Sequence, residues 1–366
     1  MNLPPIGYAT RPAAVREALD GATLLVSAPS NVRWLTSFGG SLGWGIIGPD
    51  RFALVTDGRY AERASADLAA AGLDAEIIVG TTRPEIREHV VAAAGAGPVR
   101  AEAGHLTHAA WLDLAKDLDL EPDHRTVTRL RRVKDEGELA RMARAAAIAD
   151  DALTMVVPML ADTPTEADVR DELEQRMRRL GADGPSYDTI VASGPDNAAR
   201  PHHQTGRRTI VEGDTVIIDV GALVDGYHSD MTRTFVVGEP TIEQRDIYEL
   251  VLAAQLAGLA AIAPGAGARD VDAACRDLFA DAGYADWFIH GTGHGVGLDI
   301  HEDPFSSTVS TDELLLGDVV TVEPGLYRSG FGGVRIEDLV AVTGDGGRRL
   351  THLSKDTPCL PSPPTT

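Results

Sequence analysis

The second half of the chain places acidic side chains inside apolar, strand-like runs, where an unpaired charge is costly. These acids are Asp219, Asp230, Glu323 and Glu337. A carboxylate leaves water only at a large cost in free energy unless a counter-charge or a metal pairs it. The same region also contains more than half of the chain's 11 histidines. They are His202, His203, His228, His290, His294 and His301. The pattern indicates one site built from carboxylates and imidazoles.

The segment IIDVGALVDGYHSDMTRTF predicts a β-hairpin. Asp225-Gly226 is typical of a two-residue hairpin turn, and strand-forming residues flank it on both sides. With a turn of this length, Val224 pairs with Tyr227, which fixes every other pair along the two strands.

This register predicts that two of the acids are neighbours. Asp219 lies opposite Thr232 and Gly221 lies opposite Asp230, so both aspartates share one face, about 7–8 Å apart between Cα atoms. Gly221 is expected to leave open space across from Asp230, where a cation fits. Taken alone, the pattern equally allows both aspartates to lie on an exposed strand face, and the segments that follow argue against that alternative.

The segment FIHGTGHGVGLDIHEDP carries three histidines in a glycine-rich run. Glycine permits close backbone approach, so His290, His294 and His301 can converge on one point. In VVTVEPGLY and GVRIEDLVAV, Glu323 and Glu337 each interrupt a β-branched run, and pairing of either one with Arg335 is the simplest structural explanation.

Together these residues supply four carboxylates and one imidazole as metal ligands. The predicted ligands are Asp219, Asp230, His294, Glu323 and Glu337. A set so rich in carboxylate favours a site of two divalent ions. The expected metal is Mn²⁺, with Co²⁺ or Zn²⁺ as alternatives. Two ions about 3.5–4 Å apart require carboxylates that bridge them.

The first third alternates apolar runs with helical spacing, which predicts a mixed sheet flanked by helices. Strands are predicted at 24–27, 43–47, 52–56, 75–79 and 99–102, and helices at 60–71, 84–94 and 107–118, the last with Thr107 as N-cap.

The later part of the chain predicts longer helices separated by strands. A long helix ends near 157, and a second, capped by the Thr165–Asp168 box, ends at Gly181. Two more are expected at 241–262 and 268–282. We divide the chain into an N-terminal α/β domain (1–127), a catalytic domain (128–357) and a Pro-rich tail (358–366), which is expected to be loose.

Composition narrows the range of partners. The 366 residues include 33 basic and 55 acidic side chains, for a formal charge of −22. This argues against nucleic acid or an anionic membrane as a partner, because phosphate neutralisation needs a surplus of Lys and Arg. The 2 cysteines do not make a disulfide framework, and no secretory signal or membrane span is visible, which favours the cytoplasm.

The order of these motifs resembles the pita-bread metallopeptidases, the M24 family, which includes methionine aminopeptidase, aminopeptidase P and prolidase. The likeness rests on two aspartates with ten residues between them, followed by GTGHGVGLDIHE, TVEPG and RIED, in that order. SNVRWLTSFGGSLGW and LVTDGRYAERA are similar to the N-terminal domain of the aminopeptidase P and prolidase branch, which methionine aminopeptidases lack. The resemblance therefore implies an α+β protein, with a pita-bread (creatinase/aminopeptidase) fold preceded by a smaller creatinase-like α/β domain.

The resemblance also implies a role for each metal ligand. Asp219 matches the bidentate ligand of the first metal, and Asp230 and Glu337 match the bridging carboxylates. His294 and Glu323 match ligands of the second metal.

Other positions match the family's catalytic and substrate-contacting residues. His202 matches the histidine upstream of the first aspartate, with the adjacent His203 as the alternative. His301 matches the histidine at the scissile carbonyl, His290 one that lines the substrate site, and Arg335 belongs to the RIED signature.

The implied reaction is hydrolysis of the Xaa-Pro bond at the N-terminus of peptides or in dipeptides, by a hydroxide that bridges two metals. Glu323 is expected to carry the proton from that water to the leaving amine, while His202 and His301 donate to the oxyanion. The family further implies a homodimer.

Two other functions remain open from the sequence. The first is a hydrolase on the same scaffold whose substrate is a small C–N compound such as creatine or ectoine. Creatinase-like members lose several metal ligands, whereas this chain keeps all of them. An ectoine-type hydrolase is therefore a stronger alternative than a creatine hydrolase. A non-catalytic binding protein on this scaffold is also expected to lose metal ligands.

Overall fold

The computed structural model describes residues 3–360, which form two compact units. One unit comprises residues 4–131, and the other comprises residues 132–360 together with Leu3. Among the described residues, no helix is both long enough and apolar enough to cross a membrane.

The N-terminal unit is built on a six-stranded mixed sheet of order β4-β3-β2-β1-β5-β6. Its strands are β1 (Thr23–Val26), β2 (Trp44–Ile47), β3 (Phe52–Asp57), β4 (Glu76–Gly80), β5 (Val99–Glu102) and β6 (Leu120–Asp123). Strand β2 runs antiparallel to both of its neighbours, while the other adjacent pairs are parallel. The mixed sheet is as the sequence predicts.

The helices of this unit include three that the sequence analysis missed. Its helices are α1 (Arg11–Leu19), α2 (Pro29–Thr36), α3 (Ala61–Ala70), α4 (Arg83–Ala94), α5 (His108–Leu114) and α6 (Thr126–Arg132), with a 3₁₀ turn at Tyr8–Thr10. The missed helices are α1 and α2, which are short and carry a proline in their first turn, and α6, which has only 7 residues. Strand β6 was also missed, because a charged edge strand containing proline has no apolar alternation. The predicted cap of α5 is confirmed, since Thr107 accepts a hydrogen bond from the Ala110 backbone N–H.

Four helices of eight or more residues form the second unit. They are α7 (Glu136–Val156), α8 (Glu166–Arg179), α10 (Ile242–Ala260) and α11 (Ala268–Asp281); shorter turns are α9 (Gly194–Asn197) and 3₁₀ helices at Val157–Asp162 and Ala285–Trp287. The capping box predicted for α8 is confirmed, with Thr165 and Asp168 satisfying each other's backbone N–H.

Strands of the second unit form several small, antiparallel sheets. Their orders are β11-β10-β7, β12-β9-β8, β14-β13-β15-β18-β19 and β16-β17. The strands are β7 (Gly184–Pro185), β8 (Ile190–Ser193), β9 (Thr215–Asp219), β10 (Ala222–Val224), β11 (Tyr227–His228), β12 (Thr232–Val236), β13 (Gly293–Gly295), β14 (Glu302–Ser306), β15 (Val319–Val322), β16 (Gly325–Arg328), β17 (Gly332–Arg335), β18 (Asp338–Thr343) and β19 (Gly346–Arg349).

Two apolar clusters hold these layers together. In one, α7 and α8 pack on β8, β9, β10 and β12 through residues such as Leu153, Leu173 and Ile218. In the other, α10 and α11 pack on β15 to β18 through residues such as Val251, Phe279 and Val340. Each cluster lies between a helix pair and a sheet, which leaves the ends of the strands to carry polar side chains.

The prediction of a loose tail from 358 is wrong for its first residues. Val236 donates its backbone N–H to the carbonyl oxygen of Pro358 at 2.8 Å, and Val236 and Cys359 form a parallel β-bridge. Leu360 packs against the first apolar cluster. Proline cannot donate, but its carbonyl still accepts, so the segment extends the edge of β12. Residues 361–366 of the predicted tail lie outside the described residues.

Candidate metal centre

The hairpin around Asp225-Gly226 has the predicted register. Val224 pairs with Tyr227 in β10 and β11, and Asp219 pairs with Thr232 in β9 and β12. The backbone at Asp225 and Gly226 has positive φ angles of 47° and 73°, as a tight primed turn requires. Asp219 and Asp230 therefore approach each other for the reason that the sequence indicated.

Gly221 has a different role from the one predicted. A Cβ at this position would overlap the carbonyl oxygen of Ser229, so the space across from Asp230 is filled by backbone. The hairpin breaks at this point, and its strands belong to two different sheets on either side of the break. Glycine is needed here because the chain bends and two backbone segments come into contact.

The four predicted carboxylates lie at the ends of strands, and the expectation that they interrupt strand interiors is wrong. Asp219 is the last residue of β9, and Asp230 lies between β11 and β12. Glu323 directly follows β15, and Glu337 lies between β17 and β18. A side chain at a strand end is released from the up–down alternation of the pleat, so all four can point to one place.

That place is a cavity of about 750 Å³ in the second unit. Every residue that the sequence analysis assigned as a metal ligand or catalytic residue lines it: His202, Asp219, Asp230, His290, His294, His301, Glu323, Arg335 and Glu337. His203 and His228, which belong to the same histidine-rich region, do not line it. Apolar side chains, among them Ile190, Ile300 and Phe305, complete the wall. A cavity of this size with a few converging polar groups is typical of a small-molecule or peptide site.

Three of the predicted ligands converge closely enough to hold one ion. Asp230, His294 and Glu337 each offer a ligand atom, and these atoms all lie within 4.8 Å of one another. His294 Nε2 also lies 3.6 Å from an oxygen of Asp230 and 3.6 Å from an oxygen of Glu323. Two carboxylates and an imidazole in such proximity match the donor set of a divalent transition metal.

The electrostatics of these groups also fit a cation. Burial raises the pKa of Asp230 and of Glu337 well above the usual range, and the neighbouring carboxylates add to both rises. Burial raises the pKa of Glu323 as well. Burial lowers the pKa of His294, which keeps its imidazole neutral and able to ligate. A bound cation would offset the charge that destabilises the ionised carboxylates.

Arg335 pairs with Asp219, which corrects the expectation that it pairs with Glu323 or Glu337. Its Nη2 lies 2.7 Å from Asp219 Oδ2. The same guanidinium donates to the Tyr327 hydroxyl at 2.9 Å and to Thr232 Oγ1 at 3.0 Å. Strand alternation would put Arg335 and Glu337, two residues apart, on the same face, but β17 ends at Arg335 and the alternation does not continue to Glu337.

Tyr187 is a site residue that the sequence analysis missed. Its hydroxyl contacts Oδ1 of Asp219 and lies 2.5 Å from Oδ1 of Asp230. Nothing in its sequence context, SYDTI, carries a motif that would have revealed this. Thr232, which donates to Glu337 at 2.7 Å, was within reach of prediction, because the hairpin register already placed it opposite Asp219.

The histidines occupy distinct positions around the cavity. The rings of His294 and His301 meet edge to face with centroids 4.4 Å apart, while His290 Nε2 lies 3.0 Å from the Tyr327 hydroxyl. His202 lines the cavity, whereas His203 is buried outside it with Nε2 3.0 Å from Glu166. Burial lowers the pKa of His290 and of His301, which favours neutral rings at neutral pH.

Glycine is required next to His294. A Cβ at Gly293 would overlap the carbonyl oxygen of Thr321 on the adjacent strand β15. Gly295 pairs with Val320 on β15 and with Glu302 on β14. The backbone of the GHG segment is thereby pressed between two strands, which fixes the direction of the His294 side chain.

Comparison with known proteins agrees with this site. The model of "Metallopeptidase family M24" matches residues 140–344, and that of the "Creatinase/Prolidase N-terminal domain" matches residues 11–152. The chain belongs to metallopeptidase family M24. It is thus an enzyme of a family that uses divalent metal ions, and the predicted pita-bread fold with a creatinase-like N-terminal domain is confirmed.

Individual relatives of this M24 enzyme match it over almost their whole length. An uncharacterized peptidase of Bacillus subtilis is 38% identical over 92% of this chain and 95% of its own. The structure of an Xaa-Pro dipeptidase from Bacillus anthracis superposes with a TM-score of 0.90 at 36% identity, covering 96% of this chain and 99% of that one. An X-Pro aminopeptidase from Thermotoga maritima gives a TM-score of 0.85 at 29% identity, covering 94% and 99%.

Proposed function

We propose that this M24 enzyme is a dinuclear-metal hydrolase that cleaves the Xaa-Pro bond at the N-terminus of peptides or in dipeptides. The observation that carries the proposal is the convergence of Asp230, His294 and Glu337 within 4.8 Å in a cavity that Asp219 and Glu323 also line. The activities named for the Bacillus anthracis and Thermotoga maritima relatives support the choice of substrate.

In this proposal two divalent ions are held by five side chains. Asp219 would hold one ion, His294 and Glu323 would hold the second, and Asp230 and Glu337 would be the carboxylates that both ions share. Manganese is the expected metal, with cobalt or zinc as alternatives, since a carboxylate-rich set accepts several ions. When bound, the ions lower the pKa of a shared water and polarise the scissile carbonyl.

The chain's own residues then move protons and bind charge. Glu323 accepts a proton from the attacking water and delivers it to the leaving nitrogen. The imide nitrogen of proline carries no hydrogen, so it must be protonated as the bond breaks, and Glu323, which lines the cavity, is the group that delivers this proton. His202 and His301, as donors, stabilise the oxyanion of the tetrahedral intermediate.

Two further residues complete the catalytic set. His290 lines the substrate site and is held by its contact with Tyr327 at 3.0 Å. Arg335 acts by holding Asp219 in place, through the hydrogen bond of 2.7 Å between them.

The substrate is a dipeptide or a longer peptide with proline second. The dipeptidase and aminopeptidase reactions use the same ligands and differ in how the space beyond proline is closed. We further propose a homodimer, which light scattering coupled to size-exclusion chromatography tests directly. The cytoplasmic location expected from the low cysteine content stays a prediction.

A substrate panel tests the activity. The protein is stripped with EDTA, reloaded with Mn²⁺, Co²⁺ or Zn²⁺, and assayed on Ala-Pro, Ala-Pro-Pro, Ala-Ala, ectoine and N-acetyl-diaminobutyrate. We expect metal-dependent release of proline from Ala-Pro or of alanine from Ala-Pro-Pro. Turnover of ectoine or its acetylated precursor in place of both peptides would contradict the proposal, as would full activity after stripping.

Variants connect that activity to the site. Glu337→Gln is expected to lower kcat/KM by at least about 100-fold, since even outer partners of metal ligands are worth 10–100-fold. Glu249→Gln, at an exposed position of α10, is the matched control and is expected to behave as wild type. Equal activity of both variants would show that the reaction takes place elsewhere.

A further inference from the structure

The two adjacent histidines of the segment PHH have opposite surroundings. His202 is exposed and lines the cavity. His203 is 9% exposed and points to Glu166, the first residue of α8, with 3.0 Å between Nε2 and Oε2. One histidine therefore faces the site, while its neighbour faces the protein interior.

Glu166 is fully buried and gathers hydrogen bonds from one loop. Its Oε1 accepts from the backbone N–H of Ser193 at 2.8 Å, from the Ser193 hydroxyl at 2.7 Å and from Asn197 at 3.0 Å. Its Oε2 accepts from His203 at 3.0 Å and from the backbone N–H of Gly206 at 3.2 Å. Every one of these donors belongs to the segment 193–206, which carries His202.

The charge on Glu166 is maintained by these contacts. Burial alone raises the pKa of this carboxyl, but the hydrogen bonds from Asn197, Ser193 and His203 outweigh burial and lower it. An ionised carboxylate only accepts, so His203 Nε2 is the donor in their contact. Removing that donor leaves a buried charge with one partner fewer, which costs more than a lost surface hydrogen bond.

The other flank of His202 is fixed as well. Arg335 Nη1 donates to the carbonyl oxygen of Pro201 at 3.2 Å. Beyond His203, Thr205 donates to the Thr189 carbonyl at 2.9 Å and accepts from the Val191 backbone N–H at 2.8 Å. His202 thus lies between two fixed points on the backbone, one tied to the site arginine and the other to α8.

We infer that Glu166 and His203 form a positioning pair that holds His202 at the cavity wall. The inference rests on the proposed function, in which His202 donates to the oxyanion. An oxyanion donor stabilises the transition state only at the correct distance, and a displacement of about 1 Å can cost about 100-fold in rate. The two adjacent histidines then have different roles, since His202 contacts the oxyanion and His203 acts only by holding His202 in position.

A double-mutant cycle tests this coupling. His203→Phe keeps a ring of similar size but removes the N–H, and we expect kcat/KM for Ala-Pro to fall by about 10- to 100-fold with the metal content unchanged. In the His202→Ala background the same substitution is expected to cost less than about threefold, because residues that act as one unit are not additive. An equal loss in both backgrounds, or no loss in either, would overturn the inference.

Two further variants guard against a trivial loss of folding. His203→Gln retains an N–H at the end of a side chain of similar reach, and is expected to stay within about threefold of wild type. His352→Phe makes the same change at an exposed position and serves as the control. If His203→Phe is too unstable to assay, His203→Gln decides, and a Gln variant as impaired as His202→Ala would overturn the inference.

Amide hydrogen exchange provides a readout that needs no activity. In metal-loaded His203→Phe, the backbone of residues 198–206 is expected to exchange faster than in wild type, while α10 is unchanged. If wild type cleaves no Xaa-Pro substrate, the proposed function fails, yet faster exchange still supports the anchoring. Unchanged exchange in residues 198–206 would contradict the anchoring whatever the activity.

Discussion

Arg335 donates a hydrogen bond of 2.7 Å from Nη2 to Oδ2 of Asp219, joining the RIED segment to the end of β9. The arginine is buried, and its remaining N–H groups reach Thr232 and Tyr327. Because Thr232 in turn donates to Glu337, one guanidinium connects the surroundings of two proposed metal ligands. The positive charge of Arg335 pairs with Asp219, and its planar, forked guanidinium reaches Thr232 and Tyr327 at the same time.

Replacement of Arg335 by lysine is expected to lower kcat/KM for Ala-Pro by about 10- to 100-fold, even though the charge is kept. A lysine has no planar fork, so it cannot reach Asp219, Thr232 and Tyr327 together. Steady-state kinetics checks this, with Arg348→Lys on the exposed face of β19 as the control. Activity of Arg335→Lys equal to that of the control would show that charge alone suffices.

Tyr187→Phe is expected to weaken metal binding by about tenfold or more, since partners that orient metal ligands contribute on this scale. The hydroxyl contacts both Asp219 and Asp230, and without it their carboxylates are free to rotate away from the ion. Competition with a fluorescent chelator gives the Kd for Mn²⁺. Tyr284→Phe, whose ring packs on Trp287, is the control, and identical affinities in both variants would refute the role.

The stabilisation by metal is expected to increase as the pH rises from about 5 to 7.5. In the metal-free fold, burial raises the pKa values of three carboxyl groups, those of Asp230, Glu323 and Glu337. Their ionisation therefore destabilises that fold as the pH rises from the ordinary carboxyl range of about 4 through those raised values. Bound cations offset this cost and compete with protons for the same oxygens. Thermal unfolding with and without Mn²⁺ measures this stabilisation as an increase in Tm. An increase that stays constant or becomes smaller as the pH rises would contradict the prediction.

Gly293→Ala is expected to reduce metal content and activity together. The added methyl group meets the Thr321 carbonyl oxygen, so β13 must move away from β15 and take His294 with it. Gly344→Ala is the matched control, because a Cβ there has open space within 4 Å. Metal analysis and kinetics compare the two variants, and normal metal content in Gly293→Ala would contradict the close-packing argument.

The parts of the site that follow from local rules were predictable from the sequence. A two-residue turn at Asp225-Gly226 fixes the pairing of Asp219 with Thr232, and capping chemistry fixes the start of α8 at Thr165. These features need only a few neighbouring residues and the constraints of the backbone. The remaining ligands were indicated by glutamates within β-branched runs and by histidines in a glycine-rich run, and the family resemblance assigned a role to each.

Features that depend on distant segments were beyond such rules. Tyr187 meets Asp219 and Asp230 from the segment between β7 and β8, and Arg335 finds Asp219 more than a hundred positions away in the chain. Gly221 was misread for a related reason, since a glycine that admits a second backbone looks the same in sequence as one that leaves open space.

Anomalous diffraction from crystals loaded with Mn²⁺ is a direct test of the dinuclear site. Two peaks are expected in the cavity, about 3.5–4 Å apart, within bonding distance of Asp219, Asp230, His294, Glu323 and Glu337. Peaks elsewhere, or a single peak in protein that cleaves Ala-Pro at full rate, would contradict a dinuclear site made by these five residues.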